Sequence, residues 1–168
     1  MNKTGNILAL CGLLLLLLLW AGCKKGDDRQ PCAQPQTVTL RAHCYKIVDT
    51  VVSDSVLNYP VLIPVNPQTP VRYTTSSRTS ILSMYLSSLS DTCRWIVQPD
   101  SANTNIRDTL TFVYSRRLQF ISNTCGYTYY YSLKNVFTRP NSPVIDSVNI
   151  LVPEVTNDAN VQHVRLYF

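Results

Sequence analysis

The residue types that support acid–base or nucleophilic catalysis are scattered along this sequence. A catalytic nucleophile needs a base within hydrogen-bond reach, and the only two histidines, His43 and His163, lie 120 residues apart. Strand alternation directs both to the less apolar, solvent-facing side of their segments. No Gly-x-Ser-x-Gly turn accompanies the serines, and no Cys-x-x-Cys pair supports a zinc site. We therefore expect a protein that is not an enzyme, with no catalytic residues, no metal site and no cofactor.

Three aspartates directly precede predicted strand residues, namely Asp91, Asp108 and Asp146. Their spacing does not identify the paired acids of a glycosidase. Because aspartate readily accepts hydrogen bonds from backbone amides at turns, we predict that these residues are structural.

Four tyrosines within five residues form the strongest candidate for a binding surface. Alternation along this segment puts Tyr127, Tyr129 and Tyr131 on one face of a strand and Tyr130 on the other. Tyrosines on a sheet face can stack on sugar rings while their hydroxyls form hydrogen bonds. The favoured alternative is that one set packs in the core while the other covers a sheet face, because tyrosine is a common strand residue.

The start of the chain carries an export and anchoring signal. The apolar run from Ile7 to Trp20 follows Lys3 and ends at the small residues Ala21 and Gly22. The run is shorter than the roughly 20 residues of a spanning helix and has the layout of a cleavable signal peptide. The stretch "LWAGC" resembles a bacterial lipobox, in which the cysteine receives a diacylglycerol on its sulfur and an acyl chain, such as palmitate, on its new amino group. We predict lipidation of Cys23, with the membrane as a partner through this lipid.

Four cysteines follow the predicted lipidation site: Cys32, Cys44, Cys93 and Cys125. An even number of cysteines in an exported chain predicts two disulfides, for which three pairings exist. Cys44 lies on the apolar side of its predicted strand, and Cys93 shares a side with Trp95. We therefore favour a Cys44–Cys93 bridge in the core, which leaves Cys32 to pair with Cys125.

The charge distribution does not predict a nucleic-acid partner. The chain has 15 Lys+Arg and 10 Asp+Glu, a formal net charge of +5, which falls to +4 when Lys3 leaves with residues 1–22. Only Lys24–Lys25 and Arg116–Arg117 are adjacent cations. A nucleic-acid-binding protein would be expected to gather its cations into a stripe, so the scattered pattern predicts a solvated basic surface.

From residue 37 onwards, short runs rich in Val, Ile, Thr, Tyr and Phe alternate with Asn, Asp, Ser and Pro, as is typical of strands. The predicted strands are Val38–Val48, Val56–Ile63, Val71–Thr75, Ile81–Ser87, Cys93–Gln98, Thr109–Tyr114, Leu118–Ser122, Tyr127–Leu133, Val144–Val152 and Val161–Phe168. The apolar sides predicted by alternation include Val38, Leu40, Ala42 and Cys44; Leu82, Met84 and Leu86; Leu110, Phe112 and Tyr114; and Val164, Leu166 and Phe168.

Strands with one apolar and one polar side favour antiparallel sheets that face each other across a core. We therefore predict an all-β fold, an antiparallel β-sandwich with immunoglobulin-like architecture. The predicted organisation is a signal peptide at residues 1–22, a lipidated tether at 23–36 and the β-sandwich domain at 37–168.

Several segments together resemble a known family: "WAGC", the early Cys32, "DTLTFVYSRR", "NTCGYTYYYSL", "IDSVNI" and "NVQHVRLYF". Along nearly its whole length the chain is similar to the small lipoproteins of Bacteroidota that form a family with a domain of unknown function. The resemblance implies a fold and a location but no chemistry. It supports the pairing of Cys32 with Cys125, which match the family's usual cysteines, and marks Cys44 and Cys93 as an addition.

These observations predict a lipid anchor at the outer membrane. Acidic residues after the lipidated cysteine can direct export to the cell surface in such bacteria, and "CKKGDD" matches that pattern only in part. The periplasmic and cell-surface sides therefore both stay open. We expect a non-catalytic structural or partner-docking protein whose partner is an outer-membrane or secreted protein. The alternative is a glycan-binding accessory lipoprotein that uses the face of Tyr127, Tyr129 and Tyr131.

Overall fold

Every regular element in the described part of the chain is a β-strand. The structure is a computed structural model that describes residues 31–34, 37–65 and 73–168, and no helix in these ranges is long and apolar enough to cross a membrane. The strands are β1 (Leu40–Val48), β2 (Val51–Asp54), β3 (Val61–Pro64), β4 (Tyr73–Thr74), β5 (Ile81–Met84), β6 (Thr92–Gln98), β7 (Asp108–Ser122), β8 (Gly126–Thr138), β9 (Ser147–Ile150), β10 (Glu154–Val155) and β11 (Val164–Tyr167).

The strands form two sheets. In the first sheet β1 lies between β11, which is parallel to it, and two antiparallel strands that share its other edge. Of these two, β5 pairs with the first half of β1 and β2 pairs with the second half. The second sheet has the order β10-β8-β7-β6-β3-β4 and is antiparallel throughout.

One core draws side chains from both sheets. The first sheet and its flanks contribute Val38, Leu40, Ala42, Cys44, Leu82, Met84, Val164 and Leu166, and the second contributes Trp95, Val97, Leu110, Phe112, Tyr114, Tyr131, Leu133, Val136 and Val155. The alternation of period two therefore predicted the buried side of the main strands, because successive side chains of a strand point to opposite faces. The all-β fold class is confirmed, with two sheets that share a core.

The start of β7 lies level with the end of β1. The Asp108 carboxylate accepts a hydrogen bond from the Ile145 amide at 2.8 Å, and the next residue, Asp146, donates its amide to the Tyr167 carbonyl at 2.8 Å. Tyr167 in turn pairs with Tyr45 in the second half of β1.

Farther along β7, Tyr114 lies level with the start of β1. Its hydroxyl donates to the Ser87 carbonyl at 3.1 Å, and Ser87 follows β5, where Met84 pairs with Leu40. The rest of β7 and the turn into β8 therefore extend past the end of the core at which β1 begins. The turn between β1 and β2 lies at the opposite end.

The observed strands differ from the predicted ones in two informative places. The predicted segments Thr109–Tyr114 and Leu118–Ser122 belong to a single 15-residue strand, because Arg116 and Arg117 are accommodated on an exposed part of β7. The short strand β2 was not predicted, since all four of its side chains are exposed and give no buried side to detect. The predicted signal peptide 1–22 and the lipidated Cys23 lie outside the described residues.

Candidate functional site

A cleft of about 700 Å³ opens beside β6, between β4 and the segment that follows β5. Three aromatic side chains from these separate segments meet there. Tyr73 of β4 lies with its ring centroid 5.8 Å from that of Trp95 in β6 and 6.4 Å from that of Tyr85. Because β3 pairs with both β4 and β6, Tyr73 and Trp95 lie on the two strands that flank β3.

Trp95 supports this cleft from the core side. Its side chain is buried, and its indole N–H donates to the Tyr85 carbonyl at 3.1 Å. Tyr73 and Tyr85 are 43% and 47% exposed, so their rings are accessible to a ligand. Two accessible phenol rings on a buried indole form a rigid apolar surface with polar edges.

The cleft also has polar lining residues. It is lined by serines 87, 88 and 90 together with Thr92 and Arg94. The Ser87 amide donates to the Tyr114 hydroxyl at 2.8 Å, and Arg116 donates to the Ser88 carbonyl and to Asp91, which hold this segment in place. Arg94 forms no ion pair within the described residues. The cleft therefore combines ring faces, hydroxyl groups and one cation.

The thiol in this cleft is not an activated nucleophile. Burial raises the pKa of Cys93, and the hydrogen bonds to Tyr114, Ser87 and Trp95 that lower it have a smaller effect. The reactive form of cysteine is the thiolate, so a raised pKa keeps this group protonated and unreactive at neutral pH.

A second polar cluster surrounds His43, beside a cavity of about 200 Å³. Its Nε2 atom lies 3.2 Å from the Ser80 hydroxyl and 3.7 Å from an Asp54 carboxylate oxygen. Its Nδ1 atom lies 3.3 Å from the Tyr45 hydroxyl. In a catalytic triad the serine and the acid bind opposite nitrogens of the ring. Here both lie at Nε2, so the acid cannot orient the ring for attack by the serine.

His163 is completely buried, which corrects the expectation of a surface residue. It lies just before β11, where alternation along the strand no longer determines its environment. Its Nδ1 accepts the Arg41 amide and its own amide donates to the Arg41 carbonyl, each at 3.0 Å. Burial lowers the pKa of His163, and the nearby Arg41 lowers it further. The residue connects β11 to β1 as a neutral ring.

The three tyrosines proposed as a binding face are in different environments. Tyr131 is only 6% exposed, packs edge-on against Tyr114 at 5.4 Å and donates its hydroxyl to the Leu86 carbonyl. Tyr127 is 65% exposed and Tyr129 is less exposed than Tyr127. Tyr130, on the other side of β8, donates to Asn157 at 2.6 Å. Only two of the three predicted residues are therefore open to solvent.

The cysteine pairing predicted from the sequence is confirmed for one bridge. Cys32 and Cys125 form a disulfide across 93 residues, whereas Cys44 and Cys93 are free thiols, which corrects the predicted second bridge. Cys44 faces the core from β1 in the first sheet, where burial raises its pKa to about 12. Cys93 lies on β6 in the second sheet, against Tyr114. The alternation of side chains along the strands identified two inward-facing cysteines, but it could not show that they lie in different sheets.

Of the three aspartates predicted to be structural, Asp108 has the most partners. Its buried carboxylate accepts hydrogen bonds from the amides of Val144 and Ile145, both at 2.8 Å, and from the Ser142 hydroxyl. Arg139 lies 3.5 Å from its other oxygen. The residue thus fixes the loop between β8 and β9 to the start of β7, over a much longer sequence separation than a turn.

The aromatic cleft was not detected in the sequence. Its rings come from three segments that are adjacent only after the sheet has formed, and the one local signal was an exposed Tyr85 beside the inward-facing Met84 and Leu86. No group of metal-ligating side chains occurs among the described residues.

The chain belongs to a family of unknown function, DUF6452, whose family model matches residues 62–168. The match covers β4 to β11 and most of β3, and therefore includes the cleft and the whole of the β7–β8 hairpin. Comparison with curated proteins and with solved structures found no match.

Proposed function

We propose that this member of a family of unknown function is a lipid-anchored, non-catalytic docking module of the bacterial cell envelope. The lipobox-like "LWAGC" and the resemblance to small lipoproteins of Bacteroidota support an outer-membrane anchor on Cys23. The disulfide between Cys32 and Cys125 supports an oxidising compartment. The two sheets around one core support an immunoglobulin-like sandwich as the fold that displays the docking site.

The observation that carries the docking role is the cleft formed by Tyr73, Tyr85 and Trp95. Binding sites are concave, are lined largely by apolar and aromatic groups, and contain a few convergent polar groups. This cleft has those properties, and its cysteine is protonated. The other polar cluster, at His43, has both of its potential triad partners at one nitrogen. Binding is therefore the role that the described side chains support best.

The first candidate ligand for the cleft is an outer-membrane or secreted protein. A glycan is the second candidate, and the exposed rings of Tyr73 and Tyr85 favour glycan binding at the cleft rather than at Tyr127. Sugar rings stack on aromatic faces while their hydroxyls bond to serine and arginine side chains. The polar wall beside these rings supplies such groups from Ser88, Ser90 and Arg94.

The anchor is tested by cell fractionation of the full chain and its Cys23→Ser variant. We expect the unchanged chain in the outer-membrane fraction and the variant without acyl groups. The same distribution and the same mass for both proteins would contradict the proposed anchor.

The cleft is tested with a Tyr73→Ala/Tyr85→Ala double variant against Tyr59→Ala, an exposed tyrosine outside the cleft. Calorimetric titration with soluble oligosaccharides of the cell wall and of capsular polymers provides the probe. A glycan ligand predicts at least a tenfold weaker affinity for the double variant and no change for the control. Equal affinities in all three proteins would contradict the cleft as the binding site.

A further inference from the structure

Within the described residues, the end of the β7–β8 hairpin is a two-stranded ribbon without neighbours in the sheet. The pairing of β6 with β7 ends at Val113, and β10 pairs with β8 only as far as Tyr131. Beyond these positions β7 and β8 pair with each other, from Arg117↔Tyr130 to Ser122↔Gly126, and with no other strand that the structure describes. Residues 117–130 are called the hairpin end below. An isolated two-stranded ribbon is marginally stable in water, so its exposed surface calls for an explanation.

One face of the hairpin end is apolar and exposed. It carries the cross-strand pairs Leu118–Tyr129 and Phe120–Tyr127, and all four side chains are exposed. The rings of Phe120 and Tyr127 lie 5.2 Å apart. By alternation this face continues the side of β7 that Phe112 and Tyr114 present to the core. The apolar alternation of β7 and β8 therefore continues into a region where no core covers it among the described residues.

The only charged residue of the hairpin end is a cation. Residues 117–130 contain Arg117 and no acidic residue, and the adjacent Arg116 is paired with Asp91. Arg117 lies over the Tyr130 ring at 5.8 Å, on the face opposite to the apolar one. A cationic ribbon with an aromatic and aliphatic face has the composition of a segment that lies in the headgroup region of an anionic membrane.

The position of the hairpin end points to the same surface. Its turn holds Cys125, which is bonded to Cys32, and Cys32 lies nine residues after Cys23. A segment of nine residues reaches at most about 30 Å when fully extended. An acyl chain on Cys23 therefore confines the turn of this hairpin to the neighbourhood of the membrane surface, whatever path the connecting residues take.

We propose that the hairpin end is a second membrane contact, which inserts Leu118, Phe120, Tyr127 and Tyr129 into the phospholipid interface beside the lipid anchor. The proposal rests on the lipid anchor of the proposed function. Aromatic side chains favour the bilayer interface because the ring is apolar and the hydroxyl stays hydrated. The contact would fix the orientation of the domain, with the β1–β2 turn facing away from the membrane.

Tryptophan fluorescence with brominated lipids tests this contact in the mature lipidated protein. The two variants Tyr127→Trp and Val51→Trp place a probe at positions that are each 65% exposed, at opposite ends of the core. The proteins are reconstituted in vesicles of phosphatidylethanolamine and phosphatidylglycerol with or without bromine on the acyl chains. The unchanged protein, whose Trp95 is buried, supplies the baseline.

We expect at least threefold stronger quenching at residue 127 than at residue 51, together with a blue shift on vesicle addition. Equal quenching at the two positions, or none above baseline in protein that floats with the vesicles, would overturn the proposal. A blue shift without bromine quenching in a protein of dimeric mass would also overturn it, in favour of a second copy on this face. If the mass of the purified mature protein shows no lipid on Cys23, the missing lipid would contradict the anchor, and quenching at residue 127 in that protein would still support the hairpin contact.

Discussion

The two β-hairpins at opposite ends of the core both expose apolar side chains, but they are built differently. The β1–β2 hairpin is short and has a two-residue turn, Asp49 and Thr50, both with positive φ. The β7–β8 hairpin consists of strands of 15 and 13 residues and is bonded at its turn through Cys125 to the N-terminal segment. The first is held by its own turn, and the second by contacts from distant parts of the sequence.

This difference shows why exposed apolar residues cannot be interpreted from composition alone. The β1–β2 hairpin exposes Ile47, Val48, Val51 and Val52, with Asp49 at its turn, and its paired aromatic residue, Tyr45, is half-buried. The β7–β8 hairpin end exposes aromatic residues beside Arg117 and lies at the end of the core where the chain enters β1. Only the second has a position and a charge that match a membrane surface.

Loss of the disulfide should be the most destabilising change. The bridge closes a separation of 93 residues, and the chain-entropy model gives about 4.6 kcal/mol for a loop of this size. We expect Cys32→Ser/Cys125→Ser to lower the free energy of unfolding by that amount, measured by urea denaturation. Hydrogen exchange should accelerate most at residues 117–130 and least in the β1–β2 hairpin. Uniform acceleration in both hairpins would contradict the local role of the bridge.

Replacement of Asp108 should weaken the base of the β7–β8 hairpin. The buried carboxylate satisfies the amides of Val144 and Ile145, and a buried donor without a partner costs about 1–3 kcal/mol. We expect Asp108→Ala to lower the free energy of unfolding by about 3 kcal/mol. The control is Asp91→Ala, which removes an exposed pair with Arg116 and should cost less than about 1 kcal/mol. Equal losses would show that Asp108 is not a structural anchor.

The buried His163 should make the sheet that contains β1 sensitive to acid. Because burial lowers its pKa in the folded protein below the ordinary 6.5, the unfolded chain binds a proton more readily. The stabilising contribution is complete above pH 6.5 and is lost as the pH falls through the folded-state pKa. We expect this loss in the unchanged protein and its absence in His163→Asn, which keeps an acceptor near the position of Nδ1. Parallel stability curves for the two proteins between pH 7 and pH 5 would contradict this role.

Substitutions in the two hairpin turns should change the free energy of unfolding least, and the change should have opposite signs in the two hairpins. Asn-Gly in place of Asp49-Thr50 suits two positive φ angles and should stabilise the protein by about 0.5–1 kcal/mol. Gly126 has φ +71° and open space where a β-carbon would lie, so Gly126→Ala should cost about 1 kcal/mol through its backbone alone. Melting temperatures of both variants check these signs, and a stabilising Gly126→Ala would show that the backbone there relaxes.

Much of the fold could be predicted because local alternation determines which side of a strand is buried. Residues such as Leu40, Ala42 and Leu110 are completely buried as predicted. The predictions that were wrong depended on how strands far apart in the sequence are arranged in space. Alternation could not show that Cys44 and Cys93 lie in different sheets, nor that His163 is buried and hydrogen-bonded to the backbone of Arg41. The cleft was missed for the same reason, since Tyr73 and Trp95 meet only through the pairing of β3 with its two neighbours, and Tyr85 reaches them from the segment after β5.

The intact mass of the mature protein, purified from membranes, tests the central claim most directly. We predict a chain that begins at Cys23 and carries a diacylglycerol and an amide-linked acyl group, with Cys32 and Cys125 oxidised and two further free thiols. A chain that retains residues 1–22, or that begins elsewhere with an unmodified Cys23, would contradict the lipid anchor.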